Sequence, residues 1–173
     1  MRYTGKEVFF DRNDLIVSKT DLKGRITYAN HTFLEIASYE EAEVIGQPHN
    51  MIRNPNMPRA VFELLWTVIA KGEEIFAYVV NSTKTGDHYW VIAHVTPSRE
   101  NGSIVGYHST RRVPNPQTIK TVIEPLYDQL KSIEDNNPNR KDGIQESVGA
   151  LMGILSDKGV SYDELMASLA KDD

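Results

Sequence analysis

Residues 44–71 read VIGQPHNMIRNPNMPRAVFELLWTVIAK, a polar turn that leads into one strongly apolar helix. Pro58 suits the first turn of this helix, because the N–H that proline lacks has no partner there. Lys71 and Gly72 suit its end, where a cation and a following glycine are favoured. The apolar residues at helical spacing are Val61, Phe62, Leu64, Leu65, Trp66, Val68 and Ile69. Their side chains cover a wider arc of the helix surface than the apolar stripe of an ordinary surface helix does. The pattern predicts a helix over 58–71 that is either deeply buried or covered by a sheet and by a ligand or partner.

Short apolar runs bounded by turn residues flank this helix on both sides, which is typical of strands. The predicted strands are 15–18, 25–28, 74–84, 88–96 and 104–113. The first two form a hairpin, the last three form a meander, and short helices are expected at 30–36 and 39–45. The predicted fold class is α+β, with a five-stranded antiparallel sheet, short helices and one long helix.

The segment Val113-Pro114-Asn115-Pro116 interrupts the last strand and predicts a domain boundary. We therefore divide the chain into an N-terminal cap (1–13), a central domain (14–113) and a helical extension (114–173) that serves as an adaptor or dimerisation element. A long apolar stripe predicts a helix over 117–133, kinked or restarted at Pro125. A polar linker over 134–143 and two further helices are expected to follow.

Composition excludes several functional classes. The 173 residues include no cysteine, which excludes disulfides, thiolate catalysis, Cys-ligated zinc and iron–sulfur clusters. The net charge of −5 gives little support to nucleic-acid binding. No apolar run approaches the length of a membrane span, so we expect a cytoplasmic protein without direct membrane insertion. The sequence contains no nucleophile–base pair, metal cluster or phosphate-binding glycine loop, so we expect no enzyme.

Three stretches together resemble one known family. TDLKGRITYAN (20–30), GQPHNMIRNPNMPRAVFELLW (46–66) and KTGDHYWVIAHVTP (84–97) closely resemble the PAS domain of bacterial aerotaxis receptors. The resemblance covers roughly residues 3–113. It implies the PAS fold, bound FAD, and a function in which the oxidation state of the flavin reports cellular redox state.

The resemblance also implies site residues. Arg53 and Trp66 match positions that the family associates with the flavin. Asn54 and Asn56 stand where the family usually has His and Asp in a His-Pro-Asp run. Asparagine donates and accepts hydrogen bonds but carries no charge. The resemblance therefore implies a flavin site with altered cofactor affinity or reduction potential.

The stretch VVNSTKTGDHYWV (79–91) looks like the strand-turn-strand of flavin-binding light-oxygen-voltage domains, which are relatives within the PAS superfamily. Asn81 falls where those domains place an asparagine on the flavin pyrimidine edge, and Val91 replaces their second asparagine. His49 occupies the position of their photoreactive cysteine, so cysteinyl photochemistry is excluded. His108 corresponds to their glutamine next to flavin N5.

These considerations predict a non-catalytic FAD-binding sensor of redox state or oxygen level. Its expected partners are a chemoreceptor-type membrane signalling protein and a second copy of the chain. The expected cofactor-binding residues are Trp66, Arg53, Asn81, His49, Asn50, Asn54, Asn56, His108 and Val91. Two alternatives remain open: a haem-binding PAS gas sensor with His49 or His108 as axial ligand, and a cofactor-free PAS interaction module.

Overall fold

The structure, a computed structural model, describes residues 3–172. The contacts within the chain define two compact units. Unit 1 consists of Met1–Asn54 and Val68–Val113, and unit 2 consists of Pro55–Thr67 and Pro114–Asp173. The long helix α3, Arg59–Ala70, contributes residues to both units.

Unit 1 is built on one antiparallel sheet. Its strands are β1 (Ile16–Asp21), β2 (Ile26–Ala29), β3 (Ile75–Ser82), β4 (His88–Glu100) and β5 (Ser103–Arg112). They lie in the order β2-β1-β5-β4-β3. All four neighbouring pairs are antiparallel. The predicted five-stranded antiparallel sheet is confirmed, with β4 reaching four residues further than expected.

Short helices connect the hairpin to the long helix. They are α1 (His31–Ala37), α2 (Glu41–Val44) and a 3-10 turn (His49–Ile52). The Asn30 side chain caps α1 as expected, with Oδ1 accepting a hydrogen bond from the Phe33 N–H at 3.0 Å. The same oxygen accepts a bond from the Val17 N–H at 3.0 Å, and Nδ2 donates to the Leu15 carbonyl at 2.7 Å. One asparagine therefore fixes the start of α1 against the chain that enters β1.

The N-terminal segment of unit 1 pairs with the start of β4. The His88 N–H donates to the Lys6 carbonyl at 2.9 Å, and the Val8 N–H donates to the His88 carbonyl at 2.7 Å. The Phe10 ring meets the Tyr89 ring edge-on, with their centroids 6.5 Å apart. This segment thus continues the sheet beyond the end of β5.

Helix α3 begins one residue after the predicted start at Pro58 and ends at Ala70. Val61, Leu65 and Ile69 are buried. Trp66 is 38% exposed. The apolar side of α3 is therefore buried along the line of Val61, Leu65 and Ile69 and is partly exposed at Trp66.

In unit 2 a continuous helical stretch runs from Pro116 to Asn136. It comprises α4 (Pro116–Thr118), one π-helical turn (Ile119–Ile123) and α5 (Glu124–Asn136). The Glu124 N–H bonds the Ile119 carbonyl, five residues back, as a π-helix requires. The wide turn lies immediately before Pro125, which has no N–H to donate. The π turn accommodates Pro125, and the chain continues as a helix beyond it.

Helix α6 (Arg140–Lys158) returns against α5 and makes a helical hairpin within unit 2. A Cβ added at Gly143 would lie 3.1 Å from the Glu134 carbonyl oxygen, so the two backbones approach closely there. The Ser147 hydroxyl donates to the Leu130 carbonyl at 3.1 Å. Helix α7 (Tyr162–Leu169) follows, with the expected capping box between Ser161 and Glu164.

The prediction of a polar linker over 134–143 is wrong for most of these residues. Helix α5 extends to Asn136 and α6 begins at Arg140, which leaves three residues between them. Glu134 lies inside α5 and is 3% exposed. Its two carboxylate oxygens accept hydrogen bonds from the backbone N–H groups of Arg59 at 3.0 Å and Ala60 at 2.9 Å. A side chain of the extension therefore caps the N-terminus of α3.

None of the helices in the described residues is long and apolar enough to cross a membrane.

Candidate functional site

The sheet of unit 1 has one face whose polar side chains are buried. Side chains alternate between the two faces along a strand, and directly paired residues point to the same face. Ser18 pairs with Ser109, and Asn81 pairs with Tyr89. These four residues are all buried, and we call their side of the sheet the inner face. Buried polar groups in such a number are unusual for a protein core, which makes the inner face the candidate site.

Arg111 is the buried cation of the inner face, with 4% of the residue exposed. Its Nη2 donates to Ser18 Oγ at 2.8 Å and to His49 Nε2 at 2.7 Å. Its guanidinium carbon lies 5.8 Å from the centroid of the Phe33 ring. Within residues 3–172, Arg111 forms no salt bridge and its Nη1 has no hydrogen-bond partner. Burial lowers the pKa of Arg111 to about 10, so the group remains a cation at neutral pH.

His49 is held as the neutral acceptor of this cluster. Burial, followed by the positive charges of Arg111 and Arg53, lowers the pKa of His49 to about 3. Because arginine only donates hydrogen bonds, Nε2 must accept, and the proton of the neutral ring lies on Nδ1. Ser18 Oγ lies 3.2 Å from the same Nε2. The cluster therefore carries one positive charge, and neither Arg111 nor His49 changes its protonation near neutral pH.

A second group of polar atoms lies on β3 and β4. Asn81 is 3% exposed, and its amide nitrogen Nδ2 has no hydrogen-bond partner among the described residues. Burial raises the pKa of the neighbouring Tyr89 to about 12, against a smaller opposing effect of the positive charge of Arg111. Ser109 Oγ, on β5, is likewise buried without a partner in the described part of the chain. Three hydrogen-bonding groups of the inner face are thus available to a ligand.

The turn before α3 runs close to the end of β3. Arg53 forms an isolated antiparallel bridge with Asn81 through the backbone. Asn54 is buried, and its Nδ2 donates to Ser82 Oγ at 3.1 Å. Asn50 is exposed. The structure therefore brings Arg53 and Asn81 together and uses Asn54 to fix the turn against β3.

Two of the expected site residues, Trp66 and Asn56, belong to unit 2. Trp66 is on α3, and 38% of the residue is exposed. Asn56 is exposed in the turn that precedes α3. Val91 belongs to unit 1, where it is fully buried and shares the inner face with Asn81 and Tyr89.

His108, expected beside the flavin, lies on the face of the sheet opposite the inner face. It pairs with Lys19 on one side and Thr96 on the other, and Lys19 is exposed. The Lys19 ammonium lies over the ring of exposed Tyr28, 5.9 Å from its centroid. His108 Nε2 lies 3.3 Å from the hydroxyl of Thr110, which shares its face. The strand register therefore places His108 on the outer face, and its contact with a flavin stays a prediction.

Sequence reasoning missed Arg111, Ser18 and Ser109. A signal was present in β5, where Tyr107, Ser109 and Arg111 alternate with the residues of the other face. The polar character of Ser109 and Arg111 made them resemble the solvated side of a strand. Only the pairing of β5 with β1 shows that they are buried.

Comparisons with known proteins agree with this architecture. A family model described as the PAS fold matches residues 11–110. The chain is similar to the aerotaxis receptor of Escherichia coli (strain K12), with 44% identity over 117 residues that cover 68% of this chain and 23% of the receptor. It is also similar to the nitrogen fixation regulatory protein of Klebsiella pneumoniae, with 24% identity over 87 residues, 50% of this chain and 18% of that protein.

Solved structures show the same fold. The dark structure of the blue-light photoreceptor Aureochrome1 LOV superposes with a TM-score of 0.57 at 23% identity, over 66% of this chain and 86% of that chain. The PAS domain of a protein from Colwellia psychrerythraea superposes with a TM-score of 0.53 at 23% identity, over 57% of this chain and 85% of that chain.

The chain spans only 23% of the aerotaxis receptor and 17% of Phototropin-2 from Oryza sativa subsp. japonica, another curated relative. The PAS model nevertheless matches more than half of this chain, and the match includes all of β1 to β4 and most of β5. The resemblance drawn from residues 20–97 is confirmed: this chain belongs to the PAS family.

Proposed function

We propose that this chain is a non-catalytic PAS sensor that binds FAD and reports redox state or oxygen level. The observation that carries the proposal is the set of buried polar atoms on the inner face without partners in the described residues: Arg111 Nη1, Asn81 Nδ2 and Ser109 Oγ. A buried donor left unpaired costs about 1–3 kcal/mol. Three such groups on one face are explained most simply by a ligand that satisfies them.

The chemistry of these groups fits a flavin. The pyrimidine edge of the isoalloxazine ring presents acceptors, and the amide of Asn81 and the guanidinium of Arg111 are donors. When bound, FAD supplies reversible electron uptake. The remaining residues proposed for binding are Trp66, as an aromatic platform, and Arg53, for the pyrophosphate, with His49, Asn50, Asn54, Asn56 and Val91 around the cofactor.

Haem is the less favoured cofactor on geometric grounds. An axial histidine must present a free ring nitrogen to the iron. His49 Nε2 accepts a hydrogen bond from Arg111 at 2.7 Å, and its Nδ1 carries the proton. The second candidate ligand, His108, lies on the outer face. Haem binding would therefore require the Arg111–His49 bond to break.

The proposed partner is a chemoreceptor-type membrane signalling protein, and the proposed state is a cytoplasmic homodimer. Similarity to an aerotaxis receptor supports a signal-transduction setting, although this chain matches only 23% of that receptor. Residues 114–173, which lie outside the match to the PAS model, are the proposed adaptor or dimerisation element.

The test is the visible absorption spectrum of freshly purified protein, followed by denaturation and chromatography of the released cofactor. The proposal expects the two-band spectrum of an oxidised flavin and release of FAD. A Soret band would establish the haem alternative, and a colourless protein that does not take up added FAD would favour the cofactor-free module.

A further inference from the structure

We propose that Arg111 is a ligand-binding residue whose Nη1 binds an acceptor that carries negative charge or gains it on reduction. This inference rests on the proposed flavin function and deepens it, because it adds a charged contact at a position that neither the sequence motifs nor the comparisons assign. The structure provides the donor on the inner face of the sheet, between β1 and the turn at His49.

The geometry leaves one side of the guanidinium for a ligand. Nη2 is fully used, because its two hydrogens are directed to Ser18 Oγ and His49 Nε2. These two bonds, together with the Phe33 ring 5.8 Å from the guanidinium carbon, fix the plane of the group. Nη1 is buried and has no partner among residues 3–172. A fixed plane with one unused donor nitrogen is suited to directional recognition of an acceptor.

Electrostatics require a negative counterpart. A buried charge without a partner is strongly destabilising, and proteins ordinarily place a carboxylate beside it. Arg111 has no such carboxylate in the described chain, and its two hydrogen-bond partners, Ser18 and His49, are neutral. Arg53 adds a second positive charge to the electrostatic environment of His49. The inner face therefore has a positive potential that an anionic ligand group would offset.

Two parts of a flavin nucleotide have the required chemistry. One is a phosphate, which is anionic in every oxidation state. The other is the N1 and C2-oxygen edge of the ring, which gains negative charge when two electrons and one proton, the latter at N5, are added by a reductant such as dithionite, itself oxidised to sulfite. Both present oxygen or nitrogen acceptors to Nη1, and they differ in whether the contact changes with redox state.

The experiment compares Arg111→Gln with Arg112→Gln. Arg112 is the adjacent arginine of β5 and is exposed, so its variant matches the change in charge without touching the inner face. Apo-protein is titrated with FAD, FMN and riboflavin, with binding followed by flavin fluorescence. The midpoint potential of bound flavin is then measured against reference dyes.

We expect Arg111→Gln to weaken FAD binding at least tenfold, while Arg112→Gln binds as the parent does. If the contact is to the ring, riboflavin binding also weakens and the midpoint potential falls. A tenfold greater loss for reduced than for oxidised flavin corresponds to about 30 mV for a two-electron couple. If the contact is to phosphate, FAD and FMN weaken, riboflavin does not, and the potential is unchanged. Equal affinities and potentials in both variants would overturn the proposal.

Arg111→Lys covers the case in which the glutamine variant does not fold. Lysine keeps the charge but not the planar donors, so we expect weaker FAD binding with a midpoint potential near that of the parent. Parent-like affinity of Arg111→Lys for all three flavins would also contradict a directional contact. If the parent protein binds none of the flavins, the proposed function fails, and that result differs from a parent that binds flavin regardless of Arg111.

Discussion

Glu134 provides a sharp test of how the extension is joined to helix α3. Its carboxylate accepts two backbone hydrogen bonds, from Arg59 at 3.0 Å and Ala60 at 2.9 Å, at a site where Glu134 is 3% exposed. These N–H groups belong to the first turn of α3 and have no partner within the helix itself. Glu134→Gln keeps the shape of the side chain but replaces one acceptor oxygen with an NH₂ group.

The magnitude follows from the two bonds. One N–H is left facing a donor, which costs about 1–3 kcal/mol for a buried group. The loss of negative charge at a helix N-terminus adds about 0.3–1 kcal/mol. We therefore expect a loss of about 2 kcal/mol in the free energy of unfolding. With a urea dependence of about 1–3 kcal/mol per molar, the unfolding midpoint falls by roughly 1 M.

The assay is urea unfolding followed by circular dichroism, with Asp128→Asn as the matched control. Asp128 is an exposed carboxylate on the same helix, so its conversion to an amide changes stability by less than about 0.5 kcal/mol. Hydrogen exchange of the Arg59 and Ala60 amides adds a local readout, and we expect faster exchange in Glu134→Gln. Equal midpoints and equal exchange in the two variants would refute the capping role of Glu134.

Three further predictions concern the site and the sheet. Trp66→Ala and Arg53→Ala are each expected to give folded but largely colourless protein, measured as flavin absorbance per protein, and full occupancy in both would contradict the site. The pKa of His49 is lowered to about 3, below its unfolded value, so the unfolded chain binds the extra proton and stability falls as pH drops from about 6.5 towards 3. In His49→Gln the free energy of unfolding should depend less steeply on pH between about pH 6 and pH 4, with a slope smaller than the parent's by up to roughly 1 kcal/mol per pH unit. An unchanged slope would contradict the neutral ring. Gly106→Ala places a Cβ 2.1 Å from a β1 carbonyl oxygen and should lower the melting temperature, whereas Gly149→Ala, with nothing within 4 Å on α6, should not.

Local patterns in the sequence were sufficient to predict the elements of the sheet. Alternation of apolar residues and the glycine-containing turns identified all five strands, because these signals depend on neighbouring residues alone. The caps at Asn30 and Ser161 were predicted for the same reason and are present in the structure. The long helix was predicted to within one residue at each end.

The cap of α3 could not be predicted, because its acceptor lies 75 residues from Arg59 and 74 from Ala60 along the chain. Glu134 stands in a polar run, EDNNPNRKDG, whose composition indicates a linker. Tertiary packing of α5 against α6 overrides that composition and buries the carboxylate. The π turn before Pro125 is similarly a packing solution that a proline in a helical pattern does not specify.

The candidate site was predictable only where a family motif exists. Arg53 and Asn81 were chosen separately from motifs, and the backbone brings them together. Arg111 and His108 both lie on β5, and their faces depend on the pairing of that strand with β1. Since a shift of one residue exchanges the two faces of a strand, sequence alone could not distinguish the buried arginine from the histidine on the outer face.

The most direct test of the redox-sensing claim is hydrogen exchange of the flavin-loaded protein in its oxidised and dithionite-reduced forms. The proposed function predicts that reduction changes amide protection in β5, around Ser109 and Arg111, and in the extension from Pro116 to Asn136. Superimposable exchange along the whole chain in the two oxidation states would contradict it, because a sensor must convert the redox state of its cofactor into a change in the protein.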